Sequence, residues 1–199
     1  MKNILVFSIF VVLSLSHFAC STPGSLFYHE PHTITSHDAR KLHPRSRLSD
    51  RHRKLNLEQA HEINRLHGEN IVSEGDLIVY YEAKRRKGLY GDQGNVFLTR
   101  IETGTAPIEL LVSVAEGKIY QLLLKEVPFI GRKPLVSNEF LFQFIGRSLE
   151  DSWEIVRSSE DLLHVPAKVR SMEELPVVSQ AITNQIRKVL IFDHVFTAR

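Results

Sequence analysis

The most constraining feature of this sequence is a pair of apolar runs that face each other across a very short gap. Ile108–Val114 and Lys118–Lys125 are separated by Ala115-Glu116-Gly117 alone. So short a connection permits only a reversal, so the runs are predicted to pair as an antiparallel hairpin. A lone hairpin is at best marginally stable in water, and further strands or a helix must cover its apolar face. Two more strand-like runs precede it: Asp76–Ala83, centred on Leu77-Ile78-Val79-Tyr80-Tyr81, and Asn95–Ile101. Lys84-Arg85-Arg86-Lys87-Gly88, then Gly91 and Gly94, mark the loop between them.

Helical signals bracket the strands. Asn56 and Gln59 form a capping-box pattern, Leu57, Ala60, Ile63 and Leu66 recur every third residue, and Gly68 stands where a left-handed cap would sit. His61 and His67 lie six apart, so they read as exposed or half-buried structural histidines and not as a ligand pair. Ser137 can cap a short helix carrying Phe140, Leu141 and Phe144 and closing near Gly146, and Asp151 can open a turn around Trp153 and Ile155. Near the C-terminus Ser171 and Glu174 resemble a capping box, and Pro176 suits the first helical position. Val177, Val178, Ala181, Ile182, Ile186, Val189 and Leu190 then form one apolar stripe, with Gln180, Gln185, Arg187 and Lys188 largely outside it. This order predicts an α+β domain over residues 56–199: a mainly antiparallel sheet, an N-terminal helix and a long C-terminal packing helix.

Composition narrows the function classes. The 199 residues are 43% hydrophobic and 24% charged, enough apolar surface for one ordinary domain with an appendage. One cysteine, Cys20, excludes an internal disulfide framework and any cysteine-clustered metal or iron–sulfur site. No Gly-x-Ser-x-Gly elbow, His-Glu-x-x-His pair or close carboxylate pair is present, and His164 and His194 are isolated, so no catalytic residue and no metal site is assigned. Residues 21–55 hold Pro23, Pro31 and Pro44, five histidines (29, 32, 37, 43 and 52) and the basic run Arg40, Lys41, Arg45, Arg47, Arg51, Arg53 and Lys54. They show no sustained periodicity and are expected to form a solvated, basic, histidine-rich tether. The histidine spacings match no compact ligand motif. The cations can face anionic lipid headgroups; without interleaved aromatic rings, a nucleic-acid partner is not expected.

The first twenty residues read as an address. Lys2 precedes an apolar run from Ile4 to Ser16, thirteen residues long. A membrane span needs about 20 apolar residues and a secretory core about 7–15, so the run fits the second class. Ala19-Cys20-Ser21-Thr22-Pro23-Gly24 resembles a bacterial lipoprotein signal, in which the cysteine is acylated and becomes the mature N-terminus. That signal carries Leu three residues before the cysteine and a small residue two before it, where this chain has His17 and Phe18. Acylation at Cys20 is therefore the first expectation, with plain cleavage and retention as an uncleaved anchor beside it. The expected organisation is a signal peptide over 1–20, the tether over 21–55 and an exported domain on the periplasmic or another extracytoplasmic face, held to a membrane through its N-terminal lipid.

The middle of the chain resembles a known family. Glu102-Thr103-Gly104-Thr105-Ala106-Pro107-Ile108-Glu109-Leu110-Leu111-Val112, followed by Glu116-Gly117-Lys118-Ile119, is similar to the hairpin of the exported FMN-binding domain found in the flavin-carrying subunits of Rnf and Nqr redox complexes. Glu126-Val127-Pro128-Phe129-Ile130-Gly131, Gln143-Phe144-Ile145-Gly146-Arg147 and the closing stretch Ser179–Arg187 follow in that family's order, so the resemblance spans about residues 75–192. It implies an FMN-binding-domain-like fold, a redox-complex partner in the envelope, and FMN contacts at Gly104, Thr105, Pro107, Ile108, Glu126, Pro128 and Gly131, with Tyr120, Phe129 and Trp153 as stacking rings.

One motif departs from the family. The family attaches FMN phosphate to the threonine of Asp-x-x-Ser-Gly-Ala-Thr, just before its closing helix. Counting back from Ala181-Ile182 puts Pro176 at that threonine, Glu173, Glu174 and Leu175 at Ser-Gly-Ala, and Arg170 at the aspartate. Proline has no hydroxyl to esterify. The expectation is therefore a non-enzymatic binding or accessory component without covalent flavin; the alternative is an electron carrier holding FMN non-covalently.

Overall fold

A computed structural model describes residues 34–85, 93–101, 107–126, 139–156, 169–170 and 176–197. Their elements, in order, are α1 (Ser36–Leu42), β1 (Arg47–Lys54), α2 (Leu57–His67), β2 (Leu77–Lys84), β3 (Gly94–Ile101), β4 (Ile108–Ala115), β5 (Lys118–Glu126), α3 (Glu139–Phe142), β6 (Ile155–Val156), β7 (Val169–Arg170) and α4 (Pro176–Thr197). Strands β1 to β5 form one five-stranded antiparallel sheet in sequence order, and β6 and β7 form a separate parallel pair. The protein is thus α+β, with a long C-terminal helix, as the sequence predicts.

The hairpin is made as its short gap requires. Ala115 pairs with Lys118, and the two residues between them, Glu116 and Gly117, have φ of 52° and 72°. Both values lie in the left-handed region that a two-residue type I′ turn demands. The capping box on α2 also forms: Gln59 N donates to Asn56 Oδ1 at 2.8 Å, Asn56 N donates to Gln59 Oε1 at 3.3 Å, and Gly68 closes the helix at φ 91°.

The sheet is buried on both faces. On one side Ile78, Tyr80, Phe97, Ile101, Ile108, Leu110, Val112, Val114 and Ile119 pack against α2, the Phe140–Phe144 turn and α4. On the other, Val79, Val96, Leu98 and Leu111 pack against Ile34, Ala39 and Leu42 of the α1 segment. Alternate residues of β3 and β4 therefore enter different cores, which explains runs that are apolar throughout. Helix α4 is buried well beyond one stripe. Ser179, Thr183, Gln185, Lys188 and Asp193 are buried together with Ile182, Ile186 and Val189–Phe192. The expectation that Gln185 and Lys188 lie outside fails because sheet, α2 and the Phe140–Phe144 turn share this helix. Leu57 and Val177, placed on apolar stripes by their spacing, are exposed at their helix starts.

The tether expected over 21–55 is corrected in its second half. Ser36–Leu42 is helical, with Thr35 and Asp38 completing a capping box, and Arg47–Lys54 pairs along its whole length with β2. The folded unit therefore reaches back at least to Ile34. Seven residues are too few to show a helical period. An edge strand whose side chains are mostly charged hides its strand character, since charge is how sheet edges avoid further pairing. Residues 1–33, which include the apolar run and Cys20, lie outside the described residues. Among those described, no helix is long and apolar enough to cross a membrane.

Gly94 opens β3 where an added Cβ would lie 2.5 Å from Val114 O. The obstacle is backbone in the neighbouring strand, so it cannot swing aside. Gly94→Ala is expected to destabilise the protein by about 1–3 kcal/mol, read as a lower urea midpoint at unchanged slope; an unchanged midpoint would refute this close approach.

Candidate functional site

Two side-chain pairs orient α4 on the sheet. Asn95 Nδ2 donates to Asp193 Oδ1 at 2.7 Å, and Thr99 Oγ1 donates to Gln185 Oε1 at 3.0 Å. Moving from Asn95 to Thr99 covers about 13 Å of strand, and moving back from Asp193 to Gln185 covers about 12 Å of helix. The helix therefore runs antiparallel to β3, and its start at Pro176 lies a further ~13 Å along, near or past the Ile101 end of the strand. Ile101 pairs with Ile108, and Glu109 with Glu126. The start of α4, the β3–β4 connection and the end of β5 thus share one end of the sheet.

The residues expected to contact FMN divide accordingly. Pro107, half-buried, Ile108 and Glu126 stand at this end. Ile108 is buried in the core, so its side chain packs against protein. Gly104, Thr105, Pro128, Phe129 and Gly131 lie outside the described residues, as do Arg170's side chain and Glu173–Leu175. Tyr120 and Trp153 each stack on a ring of the described fold. Tyr120 stacks on His43 with centroids 5.7 Å apart, and it lies six residues up β5 from Glu126, about 20 Å away. Trp153 stacks on Phe144 at 6.1 Å and donates its Nε1 hydrogen to Ser148 O at 3.1 Å. The turn beneath it is bonded to Ile119, close to the hairpin: Ile119 N donates to Arg147 O, and Gly146 N to Ile119 O, each at 2.8 Å.

The α1 face holds a line of buried polar groups. Lys125 Nζ lies 3.5 Å from both Asp38 Oδ2 and Glu109 Oε2, and Lys41 Nζ lies 3.4 Å from Asp38 Oδ1. Burial acts to raise the Asp38 carboxyl, but hydrogen bonds from Thr35 and the nearby Lys125 and Lys41 outweigh it and hold the group below its ordinary value. Further along, His43 Nε2 and Ser113 Oγ are 2.6 Å apart, both fully buried. A base beside a hydroxyl is the start of a nucleophilic site, but no substrate can reach a pair sealed between helix and sheet. It pins α1 to β4. Among the described residues no group of three or more His, Cys, Asp or Glu could hold a metal ion.

At the opposite end of the sheet lies a groove of about 600 Å³, walled by the Glu82–Arg85 and Gln93–Asn95 strand ends, the Val114–Gly117 hairpin turn, Asp193 and Thr197. Asp193 is 3% exposed, and its carboxyl is pushed up to about 6 by burial, against the Asn95 hydrogen bond and the field of His194. The sequence carries a signal for this residue: Ile182, Ile186, Val189 and Asp193 continue one helical stripe, and an acid on such a stripe must be paired or partly protonated. The Thr35–Asp38 cap was equally legible; the His43–Ser113 pin, between residues 70 apart, was not.

The raised value at Asp193 sets a pH dependence. The folded state binds this proton more tightly than the unfolded chain, so the contribution of Asp193 to stability is fully present below the ordinary carboxyl value and is lost as pH rises from about 4 to 6. Above that range ionised Asp193 costs up to about 3 kcal/mol. Asp193→Asn keeps the shape and removes the charge. The variant is expected to be more stable than the parent at pH 8 and to lose the fall between pH 4 and 6, measured by urea unfolding; parallel curves for the two proteins would show that Asp193 carries no such burden.

Compared with protein-family models, with curated proteins and with solved structures, the chain matches none.

Proposed function

We propose that the chain is an exported, lipid-anchored protein of the cell envelope on an FMN-binding-domain-like scaffold, a non-enzymatic binding or accessory component of redox complexes without covalent flavin. The observation that carries this reading is the start of α4. Pro176 is its first residue, at the position where the resembled family esterifies FMN to a threonine. Proline offers no hydroxyl and no backbone N–H, so it removes both the covalent handle and one of the free donors by which a helix start holds a phosphate. Glu173 and Glu174 just before it add negative charge where that phosphate would lie.

The second reading, an electron carrier with FMN held non-covalently, is favoured by a different observation: the helix start, Pro107 and Glu126 stand at one end of the sheet. In that case the cofactor supplies the redox chemistry, and the chain supplies position and electrostatics. Against it, Tyr120 and Trp153 are occupied elsewhere.

Titration of the purified full chain with FMN, followed by flavin fluorescence, separates the two. A colourless protein that leaves FMN fluorescence unchanged is expected. Saturable quenching in the micromolar range would establish the electron carrier instead, and flavin retained after denaturation would overturn both readings.

A further inference from the structure

Charge is partitioned along this chain. Residues 1–54 contain eight Lys and Arg against three Asp and Glu, whereas residues 55–199 contain 17 against 20. In the fold the basic share is concentrated on α1, the turn after it and edge strand β1. Arg40, Lys41, Arg45, Arg47, Arg53 and Lys54 are exposed there. Some charges of this segment are already matched: Lys41 faces Asp38, Arg51 Nε donates to Glu82 Oε2 at 2.7 Å, and His52 lies 3.4 Å from Asp50. Among the described residues Arg40, Arg45, Arg47, Arg53 and Lys54 have no acidic partner within 4.0 Å.

We propose that α1, the following turn and β1 form an electrostatic docking surface for anionic lipid headgroups. The proposal rests on the envelope reading above and adds to it a second, reversible attachment. The layout fits a diffuse array of negative charge better than a single ligand. β1 is the outer strand of the sheet, and its side chains leave both faces: Arg47, Arg51 and Arg53 on the α4 side, Asp50, His52 and Lys54 on the α1 side. Cations therefore fringe the edge in both directions and do not line a groove. An extended peptide added to this edge would need pockets for alternate side chains, and Leu48 is the single apolar residue of β1. Bases of a nucleic acid would need stacking rings, and residues 36–54 contain no Phe, Tyr or Trp. Headgroups need neither, because they move laterally to meet each cation. The described fold starts at Ile34, thirteen residues beyond Ser21, so a lipid on Cys20 would keep this edge close to the bilayer.

Each basic residue held near an anionic membrane improves partitioning about fivefold at low salt, and the gain is screened as salt rises. Flotation of the full chain with neutral phosphatidylcholine vesicles and with vesicles containing 30 mol% phosphatidylglycerol tests the surface. Binding to the anionic vesicles is expected to exceed binding to neutral ones by tenfold or more in 50 mM NaCl, and the gap to close in 500 mM. The variant carrying Arg45→Gln, Arg47→Gln, Arg53→Gln and Lys54→Gln should lose that gap while keeping its unfolding midpoint and its binding to neutral vesicles. Equal binding to both vesicles at low salt, or a variant that retains the gap, would overturn the proposal. So would tighter capture by polyglutamate or single-stranded DNA at equal charge concentration. Retention on neutral vesicles reads the N-terminal anchor separately: its loss would remove the anchor and leave the anionic-minus-neutral difference to report on the surface.

Discussion

Strands β3 and β4 are covered on both faces, and the remaining elements are placed by what they must cover. Phe97, Leu110, Val112 and Val114 face α4, while Val96, Leu98 and Leu111 face α1. A sheet with one wet face could have left the N-terminal segment in solvent. This one cannot, because the second apolar face would be exposed along its centre. The short α1 helix, whose apolar inward residues Ala39 and Leu42 lie beside Ile34, closes that face. Its contribution is small in area but decides whether the second core exists.

Apolar covering alone would leave the helices free to slide, and buried polar pairs fix their register. Thr99–Gln185 and Asn95–Asp193 set α4 against β3 at two points; His43–Ser113 and Asp38–Lys125–Glu109 set α1 against β4 and β5. Groups of this kind add little net stability when paired but cost much when a slip unpairs them. Asp193 is the exception within the set, since its pairing to one amide leaves the charge poorly compensated. The same residue borders the groove at the hairpin end.

Strands β2 to β5, helix α2 and the start of α4 were legible because each rests on local rules: a two-residue reversal, a capping box, a proline at a helix start. Elements whose identity comes from a partner were not. β1 is a strand because β2 offers it hydrogen bonds; its own sequence, Arg-Leu-Ser-Asp-Arg-His-Arg-Lys, alternates nothing apolar. Gln185 looks like a surface residue until Thr99 is seen to bond it. Of the residues that the resemblance implies as flavin contacts, the described fold holds three, Pro107, Ile108 and Glu126. The rings that Tyr120 and Trp153 stack on, His43 and Phe144, are set by tertiary packing, which no local pattern reveals.

The two pairs that register α4 join residues 98 and 86 apart in the chain. The larger core therefore lacks its cover until α4 is in place, whatever local hairpins have formed before. Contacts this distant are made late, because the loop they close is costly in entropy. Delayed docking of α4 would thus leave the broader apolar flank of the sheet bare, however well its hairpins had already closed.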